Sequence, residues 1–159
     1  LAASYAGLSG NETLLDLYCG AGTIGISMAD KCKRLIGVEI VADAVENAKK
    51  NAELNNVGNA RFICADAPKA AKQLAEEGIQ PEVVVLDPPR KGCDSAVFDA
   101  VEQMGAKRIV YVSCDPATLA RDLAILKEKG YEPIKAAAVD MFPRTPHVET
   151  VALIEKRLD

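Results

Sequence analysis

The strongest constraint on the fold is a rhythm: short apolar runs alternate with amphipathic stretches of helical period almost to the end of the chain. The runs Thr13–Tyr18, Arg34–Ile40, Arg61–Ala65, Val83–Asp87 and Arg108–Ser113 have strand length and are dominated by Val, Leu and Ile. Runs of that kind are strands covered on both faces. A Gly-rich turn and a helix reaching about Asp30 follow the first run, and Ala42–Asn55, Pro68–Glu77, Ser95–Met104 and Pro116–Lys129 follow the others. In Ala42–Asn55 the Ala and Leu positions share one face, and Glu, Lys and Asn share the other. Buried strands alternating with helices specify an α/β fold with a doubly wound, mostly parallel sheet. Tyr131–Met141 and Val148–Lys156 come last with no helical pattern between them, so a C-terminal antiparallel hairpin is expected. No repeat, low-complexity tract or linker interrupts the pattern, and residues 1–159 read as one domain.

Composition narrows the function. The net charge is −4, the wrong sign for a domain that grips nucleic acid through phosphates by itself. With four Tyr, three Phe and no Trp, an aromatic platform for stacked bases is not expected either. Any RNA grip must be local or come from protein outside this sequence. The five cysteines, Cys19, Cys32, Cys64, Cys93 and Cys114, are scattered with no C-x-x-C pair, so neither a disulfide framework nor a metal site is expected. No signal peptide or long apolar run is present, which makes a cytoplasmic, reducing setting without a membrane the expectation. The sequence opens with Leu1 inside an Ala-rich, helix-like stretch, which reads as a fragment of a longer protein.

Gly20-Ala21-Gly22-Thr23-Ile24-Gly25 fits G-x-G-x-x-G between a strand and a helix. Such a loop can bring its backbone against a pyrophosphate, and Glu39 lies near the distance of a ribose-binding acid. Asp16, four residues before Gly20, argues otherwise. A carboxylate facing the loop repels a pyrophosphate and suits the ammonium of a methionine moiety. Glu39 then accepts ribose hydroxyls, and Asp66, at the end of the third strand, contacts the adenine edge. A solvated carboxylate or a helix N-cap explains any one of these acids. Three acids at three successive strand ends fit a ligand better, because ligands bind at the carboxyl edge of such sheets. The implied cofactor is S-adenosyl-L-methionine, leaving S-adenosyl-L-homocysteine.

Asp87-Pro88-Pro89-Arg90 closes the fourth strand with a stiff turn, since proline fixes φ and removes competing donors. Its polar groups can hydrogen-bond the edge of a flipped-out base. A plain strand-ending turn would use Pro-Pro as well. Cys114 closes the fifth strand just before Asp115-Pro116 opens a helix, whose free amides favour thiolate over thiol. Burial as small apolar residues is the expectation for Cys32, Cys64 and Cys93. A thiolate has a job if the target is C5 of uracil, which is too poor a nucleophile to take a methyl from a sulfonium. Addition at C6 makes the ring an enolate with carbanion character at C5. A base must then take the C5 proton. Glu149, at the head of the last strand, can do so once partial burial raises its pKa. The single histidine, His147, is the rival.

Four ordered segments now carry a resemblance: Asp16–Thr23, Asp87–Gly92, Ser113–Asp122 and Phe142–Thr150. They closely resemble the RNA uracil-C5 (5-methyluridine) methyltransferases over nearly the whole chain, most of all the bacterial 23S rRNA branch, with the tRNA branch next. The resemblance implies a Rossmann-like class I S-adenosylmethionine-dependent methyltransferase fold and a monomer acting on RNA. It puts the nucleophile on Cys114 and the base on Glu149. Cofactor contacts fall on Tyr18, Thr23, Glu39, Asp66 and Asp87, besides Asp16, Gly20 and Gly22. Asp87, Pro88 and Arg90 face the uracil. Such proteins carry, upstream, a Gln-containing segment and often a small β-barrel that holds RNA, and some carry a cysteine-ligated iron–sulfur cluster; none of these is in this sequence. RNA cytosine-C5 methyltransferases are the enzyme alternative, but they place a second cysteine directly after the Asp-x-Pro turn, where this chain has Arg90 and reaches Cys93 only three residues later. A dinucleotide-dependent oxidoreductase is opposed by Asp16. A non-catalytic cofactor-binding module is the reading from outside the enzymes.

Overall fold

In the computed structural model the described residues are 1–141, 143–145 and 148–157. A short helix α1 (Ala2–Ala6) precedes β1 (Thr13–Leu17), α2 (Thr23–Ile26), β2 (Arg34–Glu39), α3 (Ala42–Leu54), β3 (Ala60–Cys64), α4 (Ala67–Glu76), β4 (Val83–Leu86), α5 (Ser95–Gln103), β5 (Arg108–Ser113), α6 (Pro116–Glu128), β6 (Tyr131–Val139) and β7 (Glu149–Lys156). The strands form a seven-stranded sheet in the order β3-β2-β1-β4-β5-β7-β6. β1 to β5 are parallel, and β7 runs antiparallel to both β5 and β6. This is the expected doubly wound α/β sheet with its terminal hairpin, and every expected strand is present within one or two residues. The hairpin's second strand is the inner one, so β7 rather than β6 joins the parallel part.

Alternation along the strands sorts the core onto two faces. Leu15, Leu17, Ile36, Val38, Val84, Leu86, Ile109 and Tyr111 meet α4, α5 and α6 through residues such as Leu74, Phe98, Val101 and Leu126. Leu14, Leu35, Val83, Val85, Val110 and Val112 pack with Met28 and with Tyr5 and Ala6 of α1 on the other face. Two expectations need correction. The helix expected to reach Asp30 is the single turn α2, followed by a 3₁₀ turn over Ala29–Lys31. Gly25 weakens propagation there, and the Ser27 hydroxyl bonds the Ile24 carbonyl, a local competitor for helix bonding. Cys64, expected to be buried, is exposed, because β3 is an edge strand with little covering it.

The sheet reverses its winding between β1 and β4, the place where ligands settle at the carboxyl ends of such sheets. Among the described residues no helix is long and apolar enough to cross a membrane. Nor does any cluster of three or more His, Cys, Asp or Glu among them form a metal site.

Candidate active site

Strand register assembles the site. Leu17 of β1 lies beside Val38 of β2 and Leu86 of β4, so Tyr18, Glu39 and Asp87 leave the sheet side by side. They line a cleft of about 490 Å³ together with Asp66, Pro68, Pro89, Lys91 and Asp94. β4 and β5 run with Leu86 beside Tyr111, so the Asp87-Pro88-Pro89 turn passes alongside Val112, Ser113 and Cys114. Ser113 faces Thr150 in the last pair of the antiparallel β5–β7 ladder, so Cys114, which follows Ser113, and Glu149, which precedes Thr150, lie at the same edge of the sheet. Asp87 and Glu149 are close enough that their negative charges oppose each other. Six segments, far apart in sequence, thus converge on one edge.

Asp16 lies one residue inside the end of β1 and is only 1% exposed. Its Oδ2 accepts the Gly25 N–H at 2.9 Å, while Oδ1 is buried without a hydrogen-bond partner among the described residues. A Cβ at position 25 would stand 2.7 Å from that Oδ2, so only glycine lets α2 close over the carboxylate. Burial first, and then the charges of Asp87 and Glu39, push the Asp16 carboxyl up to about 7. The folded chain holds a proton that the unfolded chain has released, so stability falls as pH rises from about 4 to about 7. Ionising Asp16 in the ligand-free fold costs on the order of 4 kcal/mol. We expect Asp16→Asn to raise the melting temperature of ligand-free protein at pH 8, with the gain vanishing near pH 4. Parallel melting curves for the two proteins across that range would contradict this.

Glu39 is half-buried and accepts the Gly20 N–H at 3.0 Å on Oε2 and the Ile40 and Val41 N–H groups at 2.8 and 2.9 Å on Oε1. It therefore ties the glycine loop to the start of α3. Tyr18 holds φ 67°, a left-handed conformation uncommon outside glycine, and such strain clusters at functional sites. Gly22 is the N-cap of α2. Thr23 is exposed and lines a separate groove with Ala21, Asn51 and Asn55, away from the cleft of Glu39 and Asp66. Asp66 sits two residues past β3 as the N-cap of α4, but its side chain makes no cap bond and faces the cleft instead.

At the carboxyl end of β4, Asp87 touches water, yet the surrounding wall and then Glu149 push its carboxyl up to about 6. That water screens the charge while the cleft is open, so the effect is fullest once a ligand fills it. Pro88 is buried and Arg90 exposed. Cys114 is half-buried, whereas burial pushes the Cys19 and Cys93 thiols up to about 12 and keeps them neutral. Ser113 shapes the turn around Cys114: its hydroxyl donates to the Asp115 carbonyl at 3.0 Å and accepts the Asp115 N–H at 3.1 Å. Asp115 then caps α6 by accepting the Ala117 and Thr118 N–H groups at 2.9 and 3.1 Å. Burial raises the Glu149 carboxyl above its ordinary value. The rival His147 lies outside the described residues, as do Phe142 and Pro146 of the same segment. Sequence reasoning gave no role to Ser113 or to Asp122; the first is suggested by Ser-x-Asp, a turn-forming spacing.

An acid-lined cleft joined to an edge holding a thiol, a carboxylate and a stiff Asp-Pro-Pro turn is suited to a cationic, ribose-bearing ligand beside a planar base. The profile of the tRNA (Uracil-5-)-methyltransferase family matches residues 4–157. The chain belongs to that family. It is 52% identical to an uncharacterized RNA methyltransferase of Clostridium acetobutylicum over 99% of this chain and 34% of that protein. A similarly described protein of Enterococcus faecalis is 49% identical over 98% and 34% respectively. The chain thus spans about a third of the length of these curated relatives. Among solved structures, Pyrococcus abyssi tRNA (uracil-54, C5)-methyltransferase in complex with S-adenosyl-L-homocysteine superposes with a TM-score of 0.82 at 35% identity, covering 96% of this chain and 36% of that one. Precorrin-6y C5,15-methyltransferase from Geobacter metallireducens reaches 0.81 at 18% identity, over 98% of this chain and 86% of its own, a likeness of fold alone.

Proposed function

We propose that this chain is the catalytic domain of an S-adenosylmethionine-dependent RNA (uracil-C5-)methyltransferase. The observation that supports this is the β5–β7 register, whose last pair, Ser113 with Thr150, adjoins Cys114 and Glu149, while the Asp87-Pro88-Pro89 turn follows the neighbouring strand β4. The cofactor fits the residues present. The orphaned buried Oδ1 of Asp16 lacks a donor that an ammonium could supply, and Glu39, Asp66 and Tyr18 line a cleft with acceptors for ribose hydroxyls and an adenine edge. The bound group supplies an electrophilic methyl.

The chain's own residues do the rest. The Cys114 thiolate adds to C6 of the uracil, moving the ring's electron pair toward C5. Asp87 and the backbone of its turn hold the base edge, and Arg90 lies beside it. C5 takes the methyl, and Glu149 removes the C5 proton. Electrons returning to the C5–C6 bond then expel the Cys114 thiolate. The target we infer is a uridine of 23S rRNA, on the likeness of the four motifs to that branch. A tRNA uridine is the second reading, favoured by the 35% identity to the Pyrococcus abyssi enzyme. RNA is held largely by parts outside this acidic chain, whose charge is −4. We further place it in the cytoplasm, acting as a monomer.

Calorimetry tests the first half of this reading. S-adenosyl-L-homocysteine is expected to bind and NAD not to, and Asp16→Asn is expected to weaken the former by roughly 10- to 100-fold through loss of a charge-assisted bond. Binding of NAD in preference would overturn it. Mapping 5-methyluridine in rRNA and tRNA from cells lacking the gene decides between the two RNA classes.

A further inference from the structure

Behind the reaction edge lies a buried carboxylate that the chemistry above does not use. Asp122 of α6 is fully buried. Its Oδ2 accepts the Cys93 N–H at 2.9 Å and the Tyr111 hydroxyl at 2.5 Å, and its Oδ1 accepts Arg121 Nε at 2.9 Å and Nη2 at 2.6 Å. Arg121 Nη2 also donates to the Lys91 carbonyl at 2.7 Å, and Thr118 Oγ1 donates to the Arg90 carbonyl at 2.9 Å. Backbone groups of Arg90, Lys91 and Cys93 are therefore all held by one face of α6. Gly92, between them, has φ 79°, and a Cβ there would overlap both Arg121 Nη2 and Asp122 Oδ2, so the segment lies flat on the helix.

We propose that Asp122, with Arg121 and Thr118, is a positioning group that fixes the segment after the Asp87-Pro88-Pro89 turn against the helix that starts behind Cys114. α6 begins at Pro116, directly after Cys114-Asp115, so any slip of Arg90–Cys93 over α6 is a slip of the base-facing turn relative to the thiol. A misplacement of 1 Å in such a geometry is worth about 10²-fold in rate. Stability alone is a poor reason for the arrangement, since apolar packing often replaces a buried ion pair at no loss. What apolar packing cannot supply is four directional bonds to one loop and its neighbours. The proposal rests on the reading of Cys114 as the nucleophile.

The test uses the protein as expressed from its own gene, with Asp122→Asn, Thr118→Val and Thr118→Ser. It measures kcat, KM for RNA, melting temperature, the rate of covalent adduct formation with 5-fluorouridine RNA, and alkylation of Cys114 by iodoacetamide. Asp122→Asn and Thr118→Val are expected to lower kcat and the adduct rate by roughly 10- to 100-fold. KM for RNA should stay within about threefold, and alkylation of the thiol should be unchanged, because the thiol is intact and only its partner is misplaced. Thr118→Ser, which keeps the hydroxyl, should restore the rate. Wild-type adduct rates in both disruptive variants, or activity lost only in proportion to the unfolded fraction, would overturn the proposal, as would Thr118→Ser failing as badly as Thr118→Val. Absence of adduct in the wild-type protein would instead refute the role of Cys114 and take this proposal with it.

Discussion

Replacing Cys114 with alanine is expected to lower methyl transfer to RNA by roughly 10⁴-fold or more, the scale on which a covalent nucleophile is missed. The reason is electronic. Without addition at C6, C5 of a neutral uracil has no carbanion character to offer, and the rest of the cleft can bind both partners without a reaction between them. Position agrees with the role: Cys114 is half-buried just past the strand end where Ser113 pairs with Thr150, while burial keeps the Cys19 and Cys93 thiols neutral. Binding of S-adenosyl-L-homocysteine should be nearly unchanged in this variant, because the acids of the cofactor cleft are separate from it. Single-turnover transfer measured beside cofactor calorimetry checks both halves. Transfer within tenfold of wild type would remove Cys114 from the chemistry.

Glu149→Gln is expected to act later. The amide keeps the shape and can still hydrogen-bond, but it cannot take a proton. Turnover should fall by roughly 10²- to 10⁴-fold, the worth of a positioned general base. The methylated, thiol-linked RNA should accumulate, since elimination waits on loss of the C5 proton. Burial raises the Glu149 carboxyl, and Asp87 beside it is itself pushed up to about 6. The base works ionised, so activity should rise with pH along an acid limb displaced above the usual carboxylate range, and the Glu149 contribution to that limb should vanish in the variant. Gel electrophoresis under denaturing conditions shows the trapped complex directly. Free product at a normal rate would return the role to His147 or to water.

Much of this was legible in the sequence because the relevant signals are local. Apolar runs and helical periodicity place β1 to β5 within one or two residues, and Asp16, Glu39, Asp87 and Cys114 stand at strand ends because the chain leaves the sheet there. What escaped depends on partners distant in sequence. Periodicity gives a hairpin for β6 and β7 but not which strand pairs with β5; that is set by the register of Ser113 against Thr150. Asp16 reads as a loop-facing acid, whereas it is buried under Gly25 because α2 packs down on it. Cys64 reads as core only until β3 proves to be the sheet's edge. Asp122 looks like a solvated helix residue, and only the approach of Arg90–Cys93, some thirty residues away, makes it a buried hub.

The most direct test of uracil-C5 methylation at this edge is the fate of the C5 hydrogen. With RNA carrying tritium at C5 of its uridines and unlabelled S-adenosylmethionine, each methyl transferred should release one tritium to water. That release should disappear in Cys114→Ala. Methyl transfer to RNA that leaves the C5 tritium in place would contradict the account.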